Sequence, residues 1–292
     1  MKNSIIPMLA MSTLGLALPL QADVLVSFDG TQNYSAADSN FARTDVESGT
    51  GPYYSTNAFS DTSQLSPNSD YTGPTFYGGY QYSSSTVEGY LSRQQIREYA
   101  SGDQLFLQAF KTGGWAGSTL TLHGMYIFNQ ADFNSGFETG NVSLDGVSMT
   151  WTGYITTNDS GVSFDGRLAV EVGGTYYLSQ SVINLANNDG SYAISGSGLA
   201  NEQWAAFDPN TSLDFDSGSA SFGSLSLESI SAVGLYFEED GWTGIGTSNT
   251  TFGLGIKTFT AEGTAIPESA HMSVMFGIVA LLASSIVRRR KR

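Results

Sequence analysis

The chain has 292 residues, a formal net charge of −15, 34 Gly and no Cys. So acidic a surface repels phosphate backbones and excludes nucleic acid as a partner. Without thiols there are no disulfides, cysteine nucleophiles or Cys-ligated zinc, so a hydrophobic core, with ions as the only other help, must hold the fold.

The first 22 residues read as a secretory signal. Lys2 gives a charged start, Ile5 to Leu20 an apolar stretch, and Leu20-Gln21-Ala22 a cleavage site. An uncleaved N-terminal anchor is the alternative; the short stretch, broken by Pro7, Gly15 and Pro19, argues against it. The mature chain then begins near Asp23. With Lys2, the five terminal basic residues and Glu268 set aside, 6 basic and 26 acidic residues remain between Asp23 and Ile266, a net charge of −20. Such a surface suits divalent cations and solubility in a crowded matrix.

Residues Ser35 to Ser85, rich in Tyr, Ser, Asn and Gly, read as the most loop-like part of the body. A short helix is conceivable around Thr86 to Ala100, though Gly89 interrupts it. Trp115 sits in Gly114-Trp115-Ala116-Gly117, echoed by Trp242 in Gly241-Trp242-Thr243-Gly244. Both are read as Trp in Gly-rich loops, where an exposed ring would stack on the apolar face of a sugar; folding back to plug a sandwich end is the structural alternative. Tyr71, Tyr77, Tyr80 and Tyr82 add aromatic surface, while Trp151 and Trp204 are read as core. His123 shares parity with Thr119 and Thr121 and opposes Leu120 and Leu122, which predicts a solvent-facing position on a strand.

From residue 140 onward the pattern is strand after strand. Val142 and Leu144 alternate up to Asp145-Gly146, and Val147, Met149 and Trp151 alternate beyond it, the signature of a two-residue hairpin. Asp165-Gly166 repeats the pattern between Phe164 and the alternating Leu168, Val170 and Val172. Gly173-Gly174 leads into Thr175 to Leu178, and later strands include Val233 to Phe237 and Phe252 to Ile256. Short alternating strands with regular turn signals predict an all-β fold, a single antiparallel β-sandwich of jelly-roll type.

Asp208, Asp214 and Asp216, with Asn210 nearby, are hard oxygen donors that would suit Ca²⁺. Asn188-Asp189-Gly190 and Glu238-Glu239-Asp240 are groupings of the same kind, and none follows EF-hand spacing. With His123 the one histidine outside the tail, a multi-histidine metal site is impossible. No carboxylate pair sits in a recognisable glycosidase motif, so the chain is read as non-catalytic with no resident cofactor.

The C-terminus has three parts. Ile266-Pro267-Glu268-Ser269 is followed by an uncharged apolar run from Ala270 to Val287, then by Arg288-Arg289-Arg290-Lys291-Arg292. Eighteen such residues are about the minimum for a transmembrane helix, and the basic end holds its side of the membrane cytoplasmic. Pro267, Glu268, the apolar run and the basic cluster together resemble PEP-CTERM, a tripartite bacterial sorting signal; Ser269 departs from its usual second Pro. The resemblance implies recognition by an exosortase, a membrane-embedded transpeptidase-like enzyme, and cleavage at Pro267-Glu268-Ser269. A permanent anchor without processing is the alternative. The stretch from Arg167 through Ile256, including Gly173 to Tyr177, Trp204 to Asp208 and Val233 to Glu238, also resembles the closing strands of exported β-sandwich proteins bearing such tails.

The expected organisation is therefore a signal peptide (1–22), an extracytoplasmic β-sandwich (23–264) and a sorting signal (265–292) with its helix at 270–287. The expected function is that of an exported cell-envelope or extracellular-matrix protein. The resemblance implies association with extracellular polysaccharide. A glycan-binding module using Trp115 and Trp242 is the alternative, and a carbohydrate-active enzyme a third reading.

Overall fold

The computed structural model describes residues 22–31, 40–42, 53–57, 74–83, 91–99, 102–111, 119–138, 140–155, 164–185, 189–209, 214–243 and 250–266, with only the backbone path for most of those between 40 and 122. The strands in chain order are β1 (Asp23–Phe28), β2 (Asn40–Ala42), β3 (Tyr53–Asn57), β4 (Thr75–Ser83), β5 (Leu91–Tyr99), β6 (Gly102–Lys111), β7 (Thr119–Asn129) and β8 (Asn141–Ile155). They continue with β9 (Phe164–Val172), β10 (Thr175–Ser179), β11 (Ile183–Leu185), β12 (Gly190–Ser195), β13 (Gln203–Phe207), β14 (Gly223–Ser224), β15 (Ile230–Thr243) and β16 (Thr250–Ile266). Helix among the described residues is limited to a 3₁₀ turn at Gln130–Asp132 and one turn at Ser197–Asn201. The all-β expectation holds.

Two antiparallel sheets form. The first runs β12-β8-β16-β6-β5-β2, with β1 also on β16; the second runs β14-β13-β10-β9-β15-β7-β4-β3, with β11 also on β9. Alternation builds the core between them. Val147, Met149 and Trp151 of β8, and Leu254, Ile256 and Phe259 of β16, are buried from one side. Tyr126 and Phe128 of β7, Leu168 and Val170 of β9, and Leu235 and Phe237 of β15 meet them from the other. Phe128 stacks on Phe259 at 5.2 Å between ring centres, joining the sheets directly.

The second sheet has a second core on its outer face. Met125, Ile127, Ala169, Leu178, Ala205 and Tyr236 lie under the segment 214–222. Phe215 of that segment meets Phe207 and Tyr236 edge-on, at 5.8 and 6.3 Å. A sheet covered on both faces no longer alternates wet and dry. This overturns the reading of His123 as solvent-facing: it is 1% exposed. Phe215→Ala is expected to cost about 3–4 kcal/mol, by loss of buried rings plus the cavity left behind; denaturant melts of the variant against the parent check it.

The turn signals divide. Gly173 and Gly174 have φ of +60° and +79°, the double left-handed conformation of a tight hairpin between β9 and β10. Asp145-Gly146 is not a hairpin. β8 runs through it, and the pairing with β16 passes from Gly146↔Glu262 to Leu144↔Gly263, leaving Asp145 as the extra residue of a β-bulge. Asp165-Gly166 also lies within a strand, where a Cβ on Gly166 would come within 2.8 Å of the Leu185 side chain. The helix considered around Thr86 to Ala100 is replaced by β5, paired along its length with β6. The stretch read as loop-like holds β2, β3 and all of β4, which takes in Tyr77, Tyr80 and Tyr82; Tyr71 lies outside the described residues. β16 runs to Ile266, two residues past the domain boundary read from the sequence.

Candidate functional site

The outward face of the first sheet is an array of small hydroxyl side chains. Ser148, Thr150 and Thr152 alternate with the buried residues of β8, and Thr258 and Thr260 do the same on β16. Register aligns them into rows. Ser191 of β12 stands opposite Thr150, which stands opposite Thr258. Ala193, Ser148, Thr260 and Ser27 of β1 form a second row across four adjacent strands. Neighbouring strands lie about 4.8 Å apart and alternate residues about 7 Å along each, so the hydroxyls form a shallow lattice. The Thr150 and Thr258 hydroxyls bond each other at 2.7 Å.

Among the described residues of these four strands, charge lies at the two ends of the hydroxyl rows, the exposed Glu262 following Thr260 on β16 at the Asp145 end. At one, Lys257 Nζ donates to Asp189 Oδ2 at 2.9 Å. The Asp189 carboxyl is held below its usual range, first by the Thr152 hydroxyl and then by Lys257. At the other, the bulged Asp145 accepts from Ser143 Oγ at 3.1 Å and Thr264 Oγ1 at 2.6 Å. Beside it a cleft of about 350 Å³ is lined by Leu144, Leu199, Leu225, Leu227, Asp145 and Glu228.

Each lowered carboxyl has a definite linkage sign. A folded-state value below the unfolded one contributes stability above the unfolded value, lost as pH falls through the folded one. Asp189 and Asp216 are both lowered, Asp216 mainly by the Ser219 hydroxyl and the Gly218 amide. Asp132 moves the other way, raised by burial, so its contribution is present below the unfolded value and lost as pH rises. A series of thermal melts is expected to show stability falling below about pH 4 as the lowered pair protonates.

On the second sheet His123, Tyr236 and Glu238 form a buried polar cluster that reaches the surface only at Glu238. The Tyr236 hydroxyl donates to Glu238 Oε2 at 2.6 Å and lies 3.2 Å from His123 Nδ1. With its single proton given to the carboxylate, the hydroxyl accepts from His123, which fixes the Nδ1–H tautomer. Glu238 Oε2 is 3.7 Å from the same nitrogen. Nearby, the buried Arg167 donates to the carbonyls of Ser179 and Gln180 at 2.9 and 2.7 Å, under the Phe215 ring.

The residues singled out in the sequence fall elsewhere. Trp242 is not in a loop: it belongs to β15, opposite Leu120 and just after a register shift that follows Glu239. Trp115, Asn210, the motif Pro267, Glu268 and Ser269, the run 270–287 and the basic tail lie outside the described residues. Trp151 and Trp204 are buried, at 5% and 3% exposure. Asp216 Oδ1 accepts the amides of Gly218 and Ser219 and so braces a turn. Among the described residues no group of three His, Asp or Glu side chains is placed to hold a metal ion, and no helix is long and apolar enough to cross a membrane. The hydroxyl face was missed because its signal, the alternating Ser148, Thr150 and Thr152, shows no rows until distant strands are aligned.

No protein-family model matches the chain, and no curated protein matches it. Among solved structures it is similar to the family 11 carbohydrate-binding module of the cellulosomal cellulase Lic26A-Cel5E of Clostridium thermocellum, at 12% identity and a TM-score of 0.30, covering 73% of this chain and 95% of that one. A family 11 module from the same organism in complex with a β-1,3-1,4-mixed-linked tetrasaccharide matches at 11% identity and a TM-score of 0.29, covering 65% and 90%. A solution structure of CtCBM11 matches at 12% identity and a TM-score of 0.27, covering 87% and 100%. These are loose likenesses.

Proposed function

We propose that the chain is an exported, non-catalytic polysaccharide-binding protein of the cell envelope or extracellular matrix, its sandwich of jelly-roll form, sorted by an exosortase through the tail at 267–292. One observation carries the binding role. In a body with a net charge of −20, the outward positions of four adjacent strands present a charge-free patch of hydroxyls, with carboxylates only at its ends. Each hydroxyl both donates and accepts, so it exchanges water for sugar hydroxyls without stranding a charge. The surrounding negative field favours neutral over anionic polymers.

The sorting role rests on the tail. β16 stays paired to Ile266, opposite Asn141, and the apolar run starts at Ala270. Three intervening residues reach at most about 11 Å, which would hold the unprocessed domain close to the bilayer.

Affinity electrophoresis of the exported chain against neutral and anionic polysaccharides tests the binding role. Retardation by a neutral polymer, without new reducing ends, is the expected result. Retardation only by anionic polymers, or by none, contradicts it and leaves a purely structural matrix role. Mass spectrometry of the surface-exposed protein tests sorting separately: retention of the Arg288 to Arg292 peptide means a permanent anchor.

A further inference from the structure

Natural sheets close or blunt their edges, because a row of unpaired N–H and C=O groups is a template for another strand. Three of the described edges follow that rule. β2, at one end of the first sheet, has three residues, and β14, at one end of the second, has two. The six-residue β1 has part of its free edge covered: Asn134 donates its backbone N–H to the Leu25 carbonyl at 2.6 Å and its side-chain amide to the Val24 carbonyl at 2.8 Å.

β12 departs from it. Its six residues, Gly-Ser-Tyr-Ala-Ile-Ser, form the other end of the first sheet and contain no charge and no Pro. Ser191, Ala193 and Ser195 are exposed, whereas Tyr192 and Ile194 pack on the main core. Among the described residues no strand pairs with the other side of β12, and the direction of that edge follows from one bond. Gly196 donates its N–H to the Asp145 carbonyl of β8 at 3.1 Å. By the alternation of an antiparallel ladder, Ile194 and Tyr192 also bond toward β8, and Ser191, Ala193 and Ser195 aim their N–H and C=O groups outward.

We propose that this edge pairs with β12 of a second copy, antiparallel about a twofold axis through Ala193. The strand is self-complementary in that register. Ser191 faces Ser195 of the second copy, Ala193 faces Ala193, and Tyr192 faces Ile194, an aromatic–β-branched cross-strand pair on the core side. The outward groups of Ser191, Ala193 and Ser195 supply about six N–H···O bonds. Both copies carry the same strong negative charge, and β12 carries no charged residue, so the two strands approach without carboxylates facing each other across the pair. The pairing would join two hydroxyl faces into one surface, but it does not depend on any glycan being bound.

The chain has no cysteine of its own, so one introduced thiol reports the geometry. Ala193→Cys on the axis would bring two Cα atoms to about 5.5 Å, within disulfide range. Ser148→Cys, exposed one strand inward, would lie roughly 14 Å from its counterpart. With the full chain recovered from exporting cells and solubilised in mild detergent, mild oxidation is expected to convert most of the A193C protein to a covalent dimer and leave S148C monomeric. Ala193→Lys, which sets like charges opposite each other, is expected to weaken dimerisation at least tenfold in sedimentation. A193C that stays monomeric, S148C that cross-links equally well, or A193K that sediments like the parent overturns the proposal.

Discussion

Replacing Gly234 with alanine is expected to cost at least about 4 kcal/mol, a large fraction of the stability of an ordinary domain. Gly234 lies midway along β15, paired with Ile127 on one side and Ala169 on the other. A Cβ there would run into the Tyr126 carbonyl oxygen and crowd the Ile127 backbone. Backbone cannot swing aside as a side chain does, and β7 is itself held by β4 and β15, so relief means breaking ladder bonds beside the main core. Gly223→Ala, where a Cβ meets nothing within 4 Å, is the control and should shift stability by less than about 1 kcal/mol. Urea unfolding of both variants against the parent measures the difference.

The second large effect is expected at Arg167, whose substitution by alanine should cost about 3–5 kcal/mol. Arg167 is 5% exposed and its Nη1 serves the Ser179 and Gln180 carbonyls at once. Its guanidinium carbon lies 5.3 Å from the centre of the Phe215 ring. Truncation leaves two carbonyls without their donor and opens a hole beneath the segment that seals the second core. Lysine keeps the charge but lacks the planar fork and the stacking surface, so Arg167→Lys should recover less than half of the loss. Full recovery by lysine would mean that charge alone holds the segment.

How far the sequence reveals this molecule depends on whether a signal is local. Gly173-Gly174 was readable because a two-residue hairpin needs only its own backbone to adopt positive φ. Asp145-Gly146 carries the same chemistry, yet β12 and β16 pair on either side of it, and a strand so flanked has room for a bulge but not for a turn. Parity placed Val147, Met149 and Trp151 inward because one face of β8 is wet. The same rule failed for His123, since it packs beside Tyr236 on an outer face that Phe215, about ninety residues away in sequence, helps to cover. Trp242 sat among glycines that suggested a loop, but β15 runs on through it, paired with β7 at Leu120. The hydroxyl rows depend on Thr150 meeting Thr258 across 108 positions, a distance that no local pattern encodes.

The central claim, a hydroxyl face that binds neutral polysaccharide, is tested most directly by Thr150→Ala/Thr258→Ala in affinity gels. The double change removes the bonded hydroxyl pair at the middle of the face and leaves the charged ends intact. Ser217→Ala, on the exposed segment over the other sheet, serves as control. The expected result is retardation of the parent and the control by a neutral polysaccharide, with at least a tenfold higher polymer concentration needed for the double variant. Equal retardation of all three proteins would contradict the account.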